Sequence, residues 1–492
     1  MAKLKLKVLT EDLLLQVFDE ALALLADPGV RVHHKGALDL LENGGARINR
    51  EMMVASLPED LIRAALVTAP QEFHLYNLEG EPVVHYGGDL VHFDPGSAAV
   101  TILDSRTGKQ RQPVTRDFIN FVKLVETLPV LDAQSTAFIP RDVPPEMGDL
   151  YRLYLALNFM HKPIITGAFT RNGWQVMWEM LAAVRGGEEA LAAHPLAVFD
   201  VCPSPPLLWS ELTCQNLMDC AAKRIPAELI SMPLAGVAAP VTLLGCIVQH
   251  TAENLSGLVI HQLANPGAPI VWGGAPAVVD MRHGTTPMGD PGTWLIDLAI
   301  IEMGKALSLP THTYMGSSDS KALDMQAGAE SMGGILLAAL SGANMVSGVG
   351  MIDFLRCQSM EKLVMDAALI EYARRVAQGI ETRETSLGLE QLRQNPHQAD
   401  FLERSHTRKW FKMELLMPSN VIDRGSLEHW ESTGAMQANQ QAHAMIPKLL
   451  STYQPNHLSD ELRQELHRIT LSTARHFGCD QLPELSETQE IQ

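Results

Sequence analysis

The sequence lacks the cysteine and histidine patterns that mark disulfide-rich and metal-binding proteins. Its six cysteines are scattered through 492 residues, with no CxxC pair and no regular spacing. This excludes a disulfide framework and a zinc finger. The 18 histidines form neither HExxH nor HxH. We therefore predict no bound metal.

Positive charge and long apolar runs are also scarce. The chain has 57 acidic residues against 38 Lys and Arg, a formal net charge of −19, and its basic residues form no stripe. Nucleic acid is therefore a poor partner. Near the start, Glu11, Asp12 and Asp19 interrupt the apolar residues before a signal-peptide core is complete. No apolar run reaches the ~18 residues of a membrane span, and we expect a cytoplasmic protein without a membrane partner.

The residues that are present predict a large core. Apolar residues make up 46% of the chain, enough for a sizeable globular protein. Their helical spacing predicts a helix over residues 11–26, with two more near 34–43 and 58–69 and a strand over 73–77. We assign residues 1–92 to an N-terminal α+β extension that supports the rest.

From about residue 97, strand-like and helical runs alternate eight times. The strand-like runs are 97–104, 130–138, 162–169, 195–202, 226–233, 268–274, 311–316 and 343–348. The helical runs are 115–128, 147–160, 172–185, 210–223, 240–264, 292–307, 322–341 and 359–378. Strands separated by single helices are parallel, and eight such units close into a barrel.

The predicted fold class is therefore α/β, a (β/α)₈ TIM barrel over residues 93–384. A charged helical extension follows over residues 385–492, packed on the barrel or on a second subunit of a homo-oligomer. An open doubly wound sheet is the alternative. The absence of GxGxxG after the first strand-like run counts against its nucleotide-binding version.

In a TIM barrel the site forms at the carboxyl ends of the strands. MGSSDSKALDMQAGAE (315–330) follows the seventh strand-like run. Ser320 and Asp324 are explained as helix caps. Asp319 and Lys321 have two possible interpretations: a local salt bridge, or the acid and base of a lyase or hydrolase. Gln326 and Glu330 follow on the first turns of the next helix.

Rings and glycines also gather at the predicted strand ends. Aromatic residues are only 5% of the chain, yet Trp272, Tyr314 and Phe354 fall there. They are either core fillers or a cage for a cation, since ring faces attract quaternary ammonium groups. Five glycines indicate a rim where the backbone comes close to a large group: Gly273, Gly274, Gly316, Gly348 and Gly350.

Several long motifs resemble the trimethylamine methyltransferase family. They are TYMGSSDSKALDMQAGAES (313–331), LLAALSGANMVSGVGMIDF (336–354) and the segments 93–118, 233–284 and 396–411. The resemblance covers nearly the whole chain in order. The founding enzymes of the family use pyrrolysine, whereas this chain contains only the twenty standard residues. The resemblance is therefore to the branch without pyrrolysine, which includes glycine betaine:corrinoid methyltransferase, and it implies a quaternary amine as methyl donor.

The resemblance implies a TIM barrel that passes a methyl group to Co(I) of a corrinoid (cobalamin) carried by a cognate partner protein. The nucleophile is then external, so no catalytic residue is predicted. The five glycines become the corrinoid-facing rim. The residues expected to bind the substrate are Trp272, Tyr314, Phe354, Asp319, Lys321, Gln326, Glu330, Arg282 and Arg356, with Lys321, Arg282 and Arg356 as candidates for a betaine carboxylate. The alternative function, for a protein that is not an enzyme, is a non-catalytic barrel that binds an osmolyte.

Overall fold

The computed structural model describes residues 4–96, 98–394 and 396–485. The helices are α1 (Glu11–Ala26), α2 (Lys35–Asn43), α3 (Glu59–Thr68), α4 (Thr115–Thr127), α5 (Gly148–Phe159), α6 (Gly173–Arg185), α7 (Glu188–Ala193), α8 (Glu211–Lys223), α9 (Leu243–Ala264), α10 (Pro291–Ala306), α11 (Met325–Ser341), α12 (Met360–Ala377), α13 (Leu389–Gln394), α14 (Ser405–Glu414), α15 (Leu427–Ser432), α16 (Ala438–Ser451) and α17 (Asp460–His476).

Twenty short strands accompany these helices in the part of the chain described. They are β1 (Val30–Val32), β2 (Arg47–Asn49), β3 (Val54–Ser56), β4 (Phe73–Tyr76), β5 (Pro82–Tyr86), β6 (His92–Phe93), β7 (Thr101–Asp104), β8 (Lys109–Arg111), β9 (Gln134–Ser135), β10 (Ile164–Thr166), β11 (Ala197–Val201), β12 (Leu208–Trp209), β13 (Ala227–Ser231), β14 (Leu234–Ala235), β15 (Ile270–Gly274), β16 (Ala277–Val278), β17 (His312–Thr313), β18 (Met345–Val346), β19 (Met351–Ile352) and β20 (Cys357–Gln358).

The N-terminal helices begin and end where the sequence indicates. Thr10 caps α1 by accepting the backbone N–H of Leu13, and two acids occupy the first turn. The apolar face of α1 packs against α9. The three predicted N-terminal helices and the strand over 73–77 are confirmed to within a few residues.

Eight parallel strands form the centre of the fold. Five of them pair in the order β15, β13, β11, β10, β9, and three pair in the order β17, β18, β6. A parallel bridge between Trp272 and Thr311 joins the two sheets at one edge. At the other edge, between β9 and β6, the backbone N–H of Asp132 donates to the carbonyl of Phe93 over 2.9 Å. The predicted α/β class and its parallel core are confirmed.

The prediction of the first central strand was wrong. Residues 97–104 were expected there, but the structure uses His92–Phe93. Thr101–Asp104 instead forms an antiparallel hairpin with β8 and a parallel pair with β20, in a separate sheet. A two-residue strand is too short to produce a periodic apolar run in the sequence. The longer strand of the hairpin does produce such a run, and this explains the wrong prediction.

The amino-terminal end of the parallel strands is closed by a hairpin. Side chains alternate along a strand, so every second residue of the parallel strands faces the interior. A buried apolar cluster there contains Ala133, Ile165, Val198, Val271 and Met345 together with Leu75, Val84 and Tyr86 of the β4–β5 hairpin. The N-terminal region thus fills the lower interior of the parallel strands.

The C-terminal helices pack on the outer helices. α16 contacts α12 and α4, while α17 contacts α5 and α6. Tyr453, just after α16, donates a hydrogen bond from its hydroxyl to the carbonyl of Phe159 over 2.7 Å. Within the described ranges, no helix is both long and apolar enough to cross a membrane.

Gly334 and Gly328 of α11 give a matched test of this packing. A Cβ on Gly334 would overlap the carbonyl oxygen of Met315, which follows β17, whereas a Cβ on Gly328 would meet nothing within 4 Å. We expect Gly334→Ala to cost about 3 kcal/mol or more, because a backbone oxygen cannot move aside. Gly328→Ala should stabilise by up to about 1 kcal/mol. Apparent Tm values check this, and equal shifts in the two variants would contradict it.

Candidate functional site

Three acids lie buried in the interior above the apolar cluster. Asp94 follows β6, Asp200 lies in β11 and Glu228 lies in β13, with exposures of 0%, 7% and 0%. We call these three residues the acid layer. β11 and β13 pair with Asp200 beside Glu228. Further up, an apolar roof covers them, formed by Ile230, Ala275, Ala277, Met288 and Tyr314.

A chain of polar contacts links two members of the acid layer. The Ser347 hydroxyl donates to Oδ1 of Asp94, and Nε2 of His312 lies 2.9 Å from the same hydroxyl oxygen. Since the serine proton is used on Asp94, we assign the His312 proton to Nε2. Nδ1 then faces Oε1 of Glu228 at 3.8 Å as an acceptor. Burial lowers the pKa of His312 to about 3, so the ring is neutral.

The environment of the acid layer favours protonated carboxyls. Burial raises the pKa of Asp94 to about 7, although Ser347 and the N–H of Gly96 stabilise its ionised form. Burial, followed by repulsion from Asp200 and Asp94, raises the pKa of Glu228 well above its ordinary value. Within the described residues, no N–H or O–H donates to either carboxylate oxygen of Glu228. Ionised Glu228 would therefore be unstable unless a positive charge came close.

One buried cation lies near the acid layer. Arg152 of α5 is 1% exposed and donates from Nε to the carbonyl of Gly148 and from Nη1 to that of Thr136, each over 2.6 Å. Burial lowers its pKa to about 10, while attraction from Asp149 and Asp200 opposes this. Arg152 stays charged near pH 7, and Asp149 and Asp200 share its charge. Ionisation of the other acids needs a second positive charge.

Two of the predicted rings lie on opposite sides of the strands. The Tyr314 hydroxyl donates to Oδ2 of Asp200 over 3.4 Å, and its ring meets the ring of His312 edge-on at 5.0 Å. Trp272 points toward the outer helices, where its indole N–H donates to the carbonyl of Ile300 over 3.0 Å. Tyr314 thus belongs to the roof of the acid layer. Trp272 belongs to the packing of β15 against α10.

Asp319 and Glu330 hold the loop that carries part of the roof. The two carboxylate oxygens of Asp319 accept the backbone N–H groups of Met288 and Gly289, both over 2.8 Å. Oε2 of Glu330 accepts the N–H of Asp319 over 2.7 Å, and Gln326 donates to Oε1 of Glu330 over 2.8 Å. Burial raises the pKa of Asp319 to about 6. These acids shape the loop beside Tyr314 rather than the acid layer itself.

The predicted cations lie at the surface. Lys321 donates to the carbonyl of Asp319 over 2.7 Å, and its ammonium lies 3.9 Å from the centroid of the Phe354 ring. Arg282 pairs with Asp280 at 2.6 Å, and 81% of its side chain is exposed. Arg356 is also exposed. The structure does not bring these side chains together with the acid layer.

The five rim glycines lie where backbone segments approach each other. A Cβ on Gly273 would come within 2.8 Å of the carbonyl of Leu229 and 3.0 Å of Nδ1 of His312. A Cβ on Gly274 would overlap the ring of His250, and one on Gly316 would lie 2.8 Å from the carbonyl of Ser347. Gly348 and Gly350 have φ angles of +100° and +83°. Internal packing explains all five, and a corrinoid-facing role stays a prediction.

The inward-facing chemistry was missed in part by sequence reasoning. Glu228 in AELIS and Asp94 beside a two-residue strand were not predicted to be site residues. His312 was not predicted either, because it lies in no metal-binding motif. One signal in the sequence could have identified Glu228. It is an acidic residue inside an otherwise apolar strand, and an acidic side chain is rarely buried without a partner.

Cys202 is no nucleophile at neutral pH, because burial raises the pKa of its thiol to about 12. Within the described residues, no cluster of His, Cys, Asp and Glu could hold a metal ion.

The sequence match decides the family. The family described as trimethylamine methyltransferase (MTTB) matches residues 2–475. The chain belongs to this family. It is therefore a methyltransferase, and the family and enzyme class expected from its motifs are confirmed.

Named relatives of this chain act on more than one methylated amine. The chain is 26% identical over 469 residues to the trimethylamine methyltransferase MttB of Desulfitobacterium hafniense (strain DSM 10664 / DCB-2), covering 95% of this chain and 94% of the relative. It is 27% identical over 476 residues to the glycine betaine methyltransferase of Desulfitobacterium hafniense (strain Y51), covering 96% and 98%. Family membership alone does not choose between these substrates.

A solved structure shares the fold at low identity. The crystal structure of the Methanosarcina barkeri monomethylamine methyltransferase (MtmB) matches with a TM-score of 0.52 and 13% identity, covering 92% of this chain and 89% of that one. This likeness concerns the fold alone. It extends over the N-terminal region and the parallel strands together.

Asp319 provides a test of how the roof is held. Asp319→Asn should weaken the hydrogen bonds to the Met288 and Gly289 amides, because the Asn side chain is uncharged and accepts through only one atom. Loss of a hydrogen bond to a charged acceptor predicts about 10- to 100-fold faster hydrogen exchange at Met288 and Gly289. Asp324→Asn is the control, since Asn also caps a helix. Unchanged exchange at both amides in Asp319→Asn would contradict this role.

Proposed function

We propose that this chain moves a methyl group from a quaternary amine, with glycine betaine as the first candidate, to Co(I) of a corrinoid held by a partner protein. The family supports the reaction class. The relative named as a glycine betaine methyltransferase supports the choice of amine. Carnitine, proline betaine and γ-butyrobetaine are the neighbouring alternatives, because they differ mainly in length.

The proposal includes a closed (β/α)₈ barrel. The pairings of β6, β9, β10, β11, β13, β15, β17 and β18, with the links at Trp272–Thr311 and Asp132–Phe93, support closure. The barrel would be residues 93–384, supported by 1–92 and by the helical extension 385–492. The homo-oligomer stays a prediction.

The observation that carries the proposal is the buried carboxylate of Glu228, which no hydrogen-bond donor reaches among the described residues. A quaternary ammonium group has no N–H, so it attracts such a carboxylate by charge alone. It also carries its charge at every pH, unlike a protonated amine. In a water-poor interior this attraction is strong, and the rings of Tyr314 and His312 offer further apolar and π contact for the methyl groups.

Arg152 supplies a counterpart for the carboxylate of a betaine. Within the described residues, no acceptor takes a hydrogen bond from its Nη2, while Nε and Nη1 are held by backbone carbonyls. A fixed guanidinium with a free amino group is suited to a carboxylate. Arg152 is buried, whereas Arg282 is paired with Asp280 at the surface. We therefore prefer Arg152 to Lys321, Arg282 and Arg356 for this role.

The residues of this chain then bind, orient and exclude water. Co(I), when its carrier protein is bound, supplies the nucleophile, which suits a site where the Cys202 thiol stays protonated. The leaving amine keeps the electron pair of the broken C–N bond, so no general acid is needed at that moment. Holding the ammonium against Glu228 fixes which methyl group points outward. The apolar roof keeps water from the cation.

The direct test mixes the protein, its corrinoid partner or free Co(I) cobalamin, and a panel of methylated amines. Formation of methyl–Co(III) is followed by its absorption spectrum. We expect turnover with a quaternary amine. Binding of glycine betaine without methyl transfer would select the osmolyte-binding alternative, and no response to any quaternary amine would reject the proposed function.

Glu228→Gln tests the carboxylate. It removes the charge at nearly constant volume, and we expect kcat/KM for the quaternary amine to fall about 30-fold or more, as when one partner of a buried ion pair is lost. The apparent Tm should not fall, because the variant no longer buries an acid. Glu189→Gln, an exposed residue of α7, is the control for net charge. Unaltered kcat/KM in Glu228→Gln would remove this residue from the site.

A further inference from the structure

We propose that the acid layer releases one proton when the methylammonium cation binds and takes one proton back after the methyl group has left. This inference rests on the proposed function. It assigns Asp94 and Glu228 a role in telling the charged substrate from the neutral product. His312 and Ser347 become positioning residues between them.

The contacts place the proton-holding groups in one network. Asp200 lies beside Glu228 in the paired strands, and the two carboxyls repel each other when both are ionised. Asp94 joins the same network through Ser347 and His312. The titratable or charged groups that surround the layer are Tyr86, Arg152 with its partner Asp149, Cys202, His312 and Tyr314.

Before substrate binds, this network cannot keep all its acids ionised. Three carboxyls share a dry interior with one nearby guanidinium, Arg152, which is attracted first by Asp149 and then by Asp200. Burial shifts the pKa values of Tyr86, Cys202 and His312 so that these groups are neutral at pH 7. The interactions of the three carboxyls favour the protonated state of Glu228 and leave Asp94 half-protonated near pH 7. The empty layer therefore holds at least one proton that an unburied acid would have lost.

A permanent cation changes this balance. An ammonium group next to the layer stabilises the ionised carboxylate, so one proton leaves as the cation enters. Either acid can lose the proton, because His312 and Ser347 lie between them. The Ser347 hydroxyl binds Asp94 and His312, and Nδ1 of His312 lies 3.8 Å from Oε1 of Glu228. A simple cation such as tetramethylammonium then leaves the charge of the interior nearly unchanged, whereas glycine betaine also brings a carboxylate, which is placed against Arg152.

Methyl transfer reverses the change. The C–N bond breaks, its electron pair stays on nitrogen, and the methyl group leaves with the positive charge. A neutral tertiary amine is left beside a buried carboxylate that has lost its counter-ion. One proton from water then returns to the carboxylate or to the amine, which restores the charge of the interior. When the proton returns to the carboxylate, the product amine stays uncharged and the site holds the charged donor more tightly than this product.

Calorimetry on the full chain without corrinoid isolates this step from methyl transfer. Glycine betaine is titrated at pH 7 in phosphate and in Tris, whose ionisation enthalpies differ. The difference in binding enthalpy gives the number of protons exchanged, and we expect release of about one. The isostere 3,3-dimethylbutanoate keeps the carboxylate but has carbon in place of the ammonium nitrogen, and it should release none. If glycine betaine gives no heat, tetramethylammonium is the second probe.

The pH dependence of binding and the proton release of variants identify the acids that lose the proton. The Kd for the cation should fall as pH rises from 6 to 8, by up to about tenfold per unit, because the acids lose their protons and a cation prefers the ionised layer. Asp94→Asn and Glu228→Gln should each cut proton release by half or more. Glu189→Gln should not alter it.

The outcomes separate the two proposals. Cation binding with equal enthalpy in both buffers, or binding of neither probe, overturns proton coupling. Methyl transfer without proton release rejects the coupling alone. Proton release on binding without methyl transfer to cobalamin rejects the proposed function and keeps the coupling.

Discussion

The arrangement of the interior depends on three carboxyls buried with one guanidinium close by. Burial of an ionised carboxylate without a partner is costly, so such groups either hold protons or meet a cation. Asp94 and Glu228 both have their pKa values raised by burial, and the charge of Arg152 is shared between Asp149 and Asp200. The layer has apolar side chains below and above it. Under the proposed function, a methylated ammonium ion supplies the positive charge that this interior can accept.

The remaining elements close and shape that interior. The β4–β5 hairpin fills the amino-terminal end of the parallel strands with Leu75, Val84 and Tyr86. At the other end, Asp319 fixes the loop that carries Met288 into the roof. The motif MGSSDSK therefore has a structural explanation that its sequence suggested only in part. Its Asp319 and Lys321 bind loop backbone, and this disfavours the acid and base pair of a lyase or hydrolase.

The sequence predicted the architecture better than the site. Amphipathic periodicity and caps placed the eight helices after the parallel strands to within a few residues, because both are local properties. The strand His92–Phe93 is too short to carry a pattern. Trp272 illustrates the limit for the site: both faces of β15 are buried, so alternation cannot tell from sequence which residues face inward. Glu228 was missed because its significance depends on Asp94 and Asp200, which only the fold brings near.

The most direct test of the account is a crystal structure of the protein with glycine betaine and without corrinoid. The account predicts the ammonium nitrogen inside the parallel strands, within about 5 Å of the Glu228 carboxylate, as an attractive ion contact requires. The betaine carboxylate should lie against Arg152. A betaine bound at the surface, between Lys321, Arg282 and Arg356, with Glu228 left untouched, would contradict it.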